Sequence, residues 1–371
     1  MSNEQANTKS QIGADRSVRP VLIVSERTLS DYPLVLERLL VGLADESIPA
    51  AMICPPSCGV DSTAFGGLEV IEYPAFELPM IGGESTRRVV QVLRKFQPTV
   101  LHCFCKSKAA LTRRLARQLD LPYVLAINSL QGRWDRLRLS AKHCAKIIVP
   151  GRTVAVSVAN MHPDFAERVR QVNVGTFVAQ EACCFNDPAR RPTMVAACPL
   201  RNAADLENLF GAVRRLVLDG YEFGFVVMGE GRAEGQLRRL LAALGLLPIV
   251  TVVPKLKPWR SALAAGDIFV QPRPTLAFDP VLLEAMSVGA AVASCRGGVD
   301  DLIIEDRTAA VFDPDDELSI AATLRRLFDR PERARRLAKD AQQHLRENHS
   351  VSAMISTTLQ AYQEAQDWYT H

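Results

Sequence analysis

The stretch Phe278-Asp-Pro-Val-Leu-Leu-Glu-Ala-Met-Ser-Val-Gly-Ala-Ala-Val-Ala-Ser294 decides the fold. It reads as a short apolar helix that stops at Gly289 and feeds a strand of small residues, followed by the Gly297-Gly298 turn. Glu284 sits on the first turns of that helix. A carboxylate among so many apolar neighbours is expensive unless hydrogen-bonded or neutralised. It therefore holds a ligand, or it reaches solvent or a local arginine.

Outward from this stretch, short β-branched runs alternate with helical-period segments, the pattern of a parallel sheet covered by helices. Strands are expected at 20–24, 50–54, 68–71, 99–103, 123–127, 147–149 and 169–174. After the polar segment 186–191 they resume at 193–197, 223–228, 249–253, 267–271, 290–293 and 309–312. Helices are expected at 32–43, 85–96, 107–119, 134–144, 204–218, 233–244, 259–265, 281–288, 317–329 and 331–347, with a last amphipathic one at 351–368. The restart after 186–191 marks two doubly wound α/β halves. Their ligands belong at the carboxyl ends of the strands, facing a cleft between domains.

The chain has 371 residues, enough for two full cores. It is 48% hydrophobic and 23% charged, which excludes collagen-like, disulfide-scaffold and wholly disordered classes. No apolar window reaches the roughly 18 residues of a spanning helix; the longest, 240–253 and 281–292, are broken by Pro248 and Glu284. Residues 1–19 are polar with no apolar core, so a disordered leader is expected rather than a signal peptide. Nine cysteines without a C-x-x-C pair fit buried thiols in a reducing cytoplasm.

Net charge is +3, but the segment from Glu84 to Arg152 carries +12 and the remainder −9. Such a field attracts anions, including lipid headgroups and acidic glycans. Nucleic acid is not expected, because aromatic residues do not interleave with these cations. Val226-Val-Met-Gly-Glu-Gly231 ends a strand and opens a helix, so Gly229 and Gly231 either admit a phosphate to backbone amides or simply make the turn. The six histidines are scattered, and no metal site follows from their spacing. His102, at a strand end, is a cleft residue or a hydrogen-bonded core histidine.

The segments 225–231, 236–237, 262–272, 281–289, 293–298 and 311–327 together resemble the C-terminal domain of family-4-type (group 1) retaining glycosyltransferases of the GT-B fold. More loosely, 98–102, 147–149 and the Val-Asn-Val-Gly-Thr of 172–176 are similar to that family's first half. The resemblance implies two Rossmann-like domains facing across a cleft: an acceptor domain at 20–187, a nucleotide-sugar donor domain at 188–349, and a helix at 350–371 crossing back. It implies Glu284 on the nucleotide ribose and no metal. The donor-site motifs are degenerate. The family's diphosphate-binding Arg and Lys fall on Pro199 and Ala204, its first motif carboxylate on Leu276, and its strand-end histidine on Asn128. The Gly-Phe-Gly between the motif carboxylates becomes Ala277, Phe278 and Asp279, and the glycine-rich turn after the first strand becomes Ser25-Glu-Arg-Thr28.

The donor-binding residues expected on this basis are Glu284, Gly229, Gly231, Gly297, Gly298, Arg201 and Arg273. Arg201 and Arg273 are the leading replacements for the absent cations, with Lys255 and Lys257 also near. Two functions stay open. One is retaining transfer from a nucleotide-sugar to a glycan or lipid-linked acceptor, at the inner face of an anionic membrane. The other is an inactive partner or scaffold protein that keeps the fold.

Overall fold

The computed structural model describes residues 17–56, 68–73, 82–132, 135, 137–254 and 259–370. Most of the expected leader, Cys58, Arg133, Trp134, Arg136, Lys255, Lys257 and His371 lie outside them. The strands are β1 (Pro20–Ile23), β2 (Ala51–Cys54), β3 (Glu69–Glu72), β4 (Val100–Cys103), β5 (Tyr123–Ala126), β6 (Cys144–Val149), β7 (Val169–Gln171), β8 (Thr193–Ala197), β9 (Gly224–Met228), β10 (Val250–Val253), β11 (Ile268–Gln271), β12 (Ala291–Ser294) and β13 (Ala310–Val311). The helices are α1 (Glu26–Asp31), α2 (Pro33–Asp45), α3 (Gly82–Phe96), α4 (Ala109–Leu119), α5 (Arg152–Met161), α6 (Glu207–Leu218), α7 (Glu234–Ala243), α8 (Trp259–Ala264), α9 (Pro280–Val288), α10 (Glu317–Asp329), α11 (Pro331–Asn348) and α12 (Val351–Thr370).

Two sheets result, ordered β3-β2-β1-β4-β5-β6-β7 and β10-β9-β8-β11-β12-β13. Pairing is parallel, with Leu22 between Met52 and His102, and Val270 between Ala196 and Ala293. The central strands β1, β2, β4, β11 and β12 are buried throughout, as a parallel sheet covered on both faces requires. These are two Rossmann-like layers.

The chain groups into two compact units, the first of residues 1–126, 136–147 and 355–371, the second of 127–135 and 148–354. The sequence reading set its boundary at 187/188. Residues 148–187 group with the second unit, where Ala179, Cys183 and Cys184 hydrogen-bond Ser287, Val288 and Gly289 through their backbones.

Three local differences from the sequence reading have physical causes. No helix forms at 137–144: the Ser140 amide donates to the Tyr123 hydroxyl at 3.0 Å, a turn follows, and Cys144 enters β6. Ser25-Glu-Arg-Thr28, at the place of the family's glycine-rich turn, starts a helix, because Ser25 and Thr28 form a reciprocal capping box on α1. Helix α5, absent from the sequence reading, follows Gly151 and buries only Val154 and Val158, too few for a periodic signal.

In the first unit, α4 buries Leu111, Leu115 and Ala116 while Arg117 points outward, and it ends at Asp120 in the left-handed region (φ 54°). Part of the +12 segment is used locally: Lys146 pairs with Glu364 at 2.7 Å, Lys142 with Asp120 at 3.3 Å, and Arg113 donates to the Arg138 carbonyl. Helix α12 contributes Tyr362, whose hydroxyl meets His102 Nδ1 at 2.6 Å, and Gln366, which donates to Thr99.

His102 is 3% exposed and stacks on Phe104 with centroids 4.1 Å apart. Burial holds its pKa down at about 3, so it is a neutral core histidine. A base depressed on folding gives stability that is complete above the unfolded value of 6.5 and lost as pH falls toward 3. We expect His102→Gln to remove about 1.4 kcal/mol per pH unit of acid sensitivity in that window. Urea titrations at several pH values check it, and parallel wild-type and variant curves would refute the assignment.

Candidate functional site

In the second sheet the chain leaves β8 on one side toward β9 and returns on the other as β11, so the topological switch point lies between β8 and β11. Open α/β sheets bind ligands outside the carboxyl ends of the strands at such a point. The loops there are Cys198–Asn202 after β8 and Pro272–Phe278 after β11, flanked by Gly229–Gly231 after β9 and Cys295–Gly298 after β12. Six of the seven expected donor residues stand on these loops, and Glu284 is on α9.

Gly229 and Gly231 let the β9 loop lie directly on the β8 loop. A Cβ on Gly229 would stand 2.0 Å from the Cys198 carbonyl oxygen, and one on Gly231 2.1 Å from that of Leu200. The Gly229 N–H already donates to Val253 O at 2.9 Å, so close backbone packing accounts for this glycine. At the other side, Gly298 has φ 71° and a Cβ there would meet the Thr275 carbonyl at 2.0 Å, while Val299 N–H donates to that same oxygen. Gly297 (φ 103°) donates its N–H to Asp300 at 2.9 Å. An anion that uses the Gly297 N–H must take the place of the Asp300 carboxylate.

The two arginines behave differently. Arg273 donates from Nε to the Asp205 carbonyl at 2.8 Å and pairs through Nη1 with Asp315, so it ties the β11 loop to two other loops. Arg201 is exposed, and its carbonyl accepts from Arg232. Leu276, at the position of the family's first carboxylate, is 71% exposed and brings no acid to the site. Its carbonyl accepts from Leu130 N–H, and the Phe278 N–H donates to Asn128 O at 2.8 Å. The Cys198 thiol is pushed up to about 12, first by burial and then by Asp279 and Asp205, and stays uncharged at neutral pH.

Helix α9 forms as the sequence requires. Asp279 caps it by accepting from Val281 N–H at 2.9 Å, Pro280 fits the first turn, and Gly289 closes it with φ 80°. All nine of its residues are buried. Glu284, 1% exposed, is fully engaged by protein groups: Oε1 accepts from the Thr176 hydroxyl at 2.9 Å and Oε2 from Arg260 Nη1 at 2.9 Å. Arg260 also donates to Ser287 Oγ at 2.7 Å and to the Phe177 carbonyl. The local arginine is therefore the partner that a carboxylate in an apolar helix demands. Arg260 and Thr176 were missing from the expected set; the signal for a cation was Glu284 itself, but no spacing rule points from α9 to α8. Among the described residues no group of side chains could hold a metal ion, and no helix is long and apolar enough to cross a membrane.

Residues 191–330, which include all these loops and α9, match the family model "Glycosyl transferases group 1". A sulfoquinovosyl transferase of Arabidopsis thaliana is 23% identical over 270 residues, 65% of this chain and 52% of that protein. The chain spans about half the length of the curated relatives it matches. Among solved structures, a glycosyltransferase from Rickettsia africae is similar with a TM-score of 0.78 at 13% identity, covering 94% of this chain and 99% of that one. An Anabaena protein in complex with UDP-glucose is similar with a TM-score of 0.76 at 13% identity, covering 95% and 100%. Residues 191–330 are thus similar to the group 1 glycosyltransferases, within a fold of the GT-B type.

Proposed function

We propose that the chain moves a sugar from a nucleoside diphosphate donor to a glycan or lipid-linked acceptor, with retention at the anomeric carbon. The observation that carries this reading is the coincidence of the group 1 match with the switch-point loops of the second sheet. In it, residues 188–349 bind the donor, 20–187 bind the acceptor, and 350–371 return to the acceptor domain. The diphosphate lies near Gly297-Gly298, and Arg201 and Arg273 supply its positive charge. A leaving diphosphate gains negative charge as the glycosidic bond breaks, and preorganised cations or N–H groups must stabilise it. The +12 segment suits peripheral contact with an anionic membrane or acceptor.

A second reading, an inactive partner or scaffold protein that keeps the fold, is favoured by one observation: both oxygens of Glu284 already accept from Thr176 and Arg260. Calorimetry with uridine, guanosine and adenosine diphosphates separates the two. Binding is expected for at least one nucleotide; no heat from any of them at millimolar concentration sinks the transferase reading. Binding without turnover of the matching nucleotide-sugars, with activity appearing in a Leu276→Glu, Pro199→Arg, Ala204→Lys variant, establishes the second.

A further inference from the structure

The helices of the first sheet divide its charge between its two faces. The chain passes from β3 through α3 to β4 and from β4 through α4 to β5, both times in the same direction across the sheet. Right-handed crossovers then put α3 and α4 on one face, where they pack side by side. The crossover from β1 through α2 to β2 runs the other way, so α2 lies on the opposite face. Helix α12 joins it there: a Cβ on Gly42 of α2 would stand 2.0 Å from Ile355 Cδ1.

On α3, Val89, Val90, Leu93 and Phe96 are buried while Arg87, Arg88, Arg94 and Lys95 are exposed, an amphipathic spacing whose outer stripe is basic. On α4, Leu111, Leu115 and Ala116 are buried, Arg117 is exposed, and Arg113 and Arg114 are half-buried. Glu84 is the one acid in either helix, so together they carry +6. Helices α2 and α12 carry Glu37, Asp45, Glu364 and Asp367 against Arg38, a charge of −3. The side chains of Arg87, Arg94, Lys95 and Arg117 make no hydrogen bond or ion pair among the described residues.

We propose that the face formed by α3 and α4 docks on an anionic lipid membrane. The lipid in this inference rests on the lipid-linked acceptor of the proposed function, and the docking itself needs no transfer. At 1.5 Å per residue α3 is about 22 Å long and α4 about 16 Å, so two convex helix backs offer a broad surface and no groove. A glycan or a nucleic acid is held in a concavity or by stacking aromatics. The residues exposed here are arginine, lysine, glutamine and alanine, with no aromatic and no large apolar side chain among the described residues. That set suits a diffuse layer of lipid phosphates, and the adsorption it supports is electrostatic, shallow and reversible. The negative charge on α2 and α12 is repelled by the same layer, so the domain approaches in one orientation.

The test is sedimentation of the full chain with vesicles of phosphatidylcholine, alone or mixed with phosphatidylglycerol. Binding is expected to the mixed vesicles only, and to vanish as ionic strength rises from about 0.01 M to about 1 M, where the Debye length falls from about 30 Å to about 3 Å. Each cation near the surface contributes about fivefold in affinity. Arg87→Gln, Arg94→Gln, Lys95→Gln and Arg117→Gln combined should therefore weaken binding about 10²–10³-fold. A control variant with Arg191→Gln, Arg214→Gln, Arg239→Gln and Lys339→Gln removes the same charge from exposed sites of the second unit and should bind within about threefold of wild type. No sedimentation with the mixed vesicles at low salt, equal sedimentation with neutral ones, or equal losses in both variants overturns the docking at this face. Soluble polyglutamate that competes as well as vesicles at equal anionic charge gives the face to an acidic polymer and overturns the membrane. Donor turnover is read separately, so failed vesicle binding leaves the transfer reading standing, and failed transfer leaves the docking standing.

Discussion

Arg260→Met is expected to destabilise the protein by about 3–5 kcal/mol, the cost of leaving a buried carboxylate without its cation. The asymmetry of the pair sets this size. Glu284 is 1% exposed, so without Arg260 its Oε2 loses a charged donor while Oε1 keeps the Thr176 hydroxyl. The Arg260 side chain is 33% exposed, so in Glu284→Gln it can rehydrate, and that variant should cost about 1–3 kcal/mol. The double variant, with neither charge, is expected to recover most of the Arg260→Met loss, since a neutral pair avoids desolvating two ions. Urea denaturation of the four proteins measures this cycle. A loss below about 1 kcal/mol for Arg260→Met, or a double variant no better than the single, would show that the ion pair does not hold α8 against α9.

The same cycle bears on the donor site. A ribose on Glu284 shares its oxygens with Thr176 and Arg260 or displaces one of them, and displacing Arg260 also breaks its bonds to Ser287 and Phe177. Nucleotide affinity then reflects the strength of an internal ion pair as well as the new contacts. Weak binding in the wild type and stronger binding in a variant with a shorter cation at 260 is the pattern this competition predicts.

The strand–helix alternation was legible because buried parallel strands are continuous apolar runs and their covering helices carry stripes such as Leu111 and Leu115. The match of 193–197 to β8 and of 317–329 to α10 rests on nothing more. The Ser25 and Thr28 of the capping box are visible as residues, but set against the family pattern they read only as a lost glycine turn, and the reciprocal hydrogen bonds that start the helix appear only in the fold. The expected helix at 134–144 failed in its described part because backbone groups there find long-range partners, Tyr123 and Arg113, which no local propensity encodes. The site divides in the same way. That Glu284 needs a partner follows from composition; that the partner is Arg260, 24 residues earlier, follows only from how α8 packs on α9.

Arg201→Ala is expected to lower turnover of the nucleotide-sugar donor by about 10²–10³-fold if the chain is a transferase, the usual loss when one preorganised group facing the developing charge is removed. Arg201 is the sharper test of the two arginines. Arg273 is committed to Asp205 and Asp315, so its removal loosens the β11 loop and mixes a structural loss with an electrostatic one. Arg201 stands exposed on the β8 loop at the switch point, and no hydrogen bond or ion pair of its side chain is found among the described residues. Its loss should leave the urea midpoint unchanged within about 0.5 kcal/mol, as for an ordinary surface substitution. Release of nucleoside diphosphate from the donor, with water as acceptor, supplies an assay that does not need the true acceptor. Arg201→Lys should keep part of the rate, since it retains the charge without the bidentate fork. A rate for Arg201→Ala within about threefold of wild type would remove Arg201 from the site and leave the diphosphate to the N–H groups of the Gly297 turn, where Asp300 already occupies one donor.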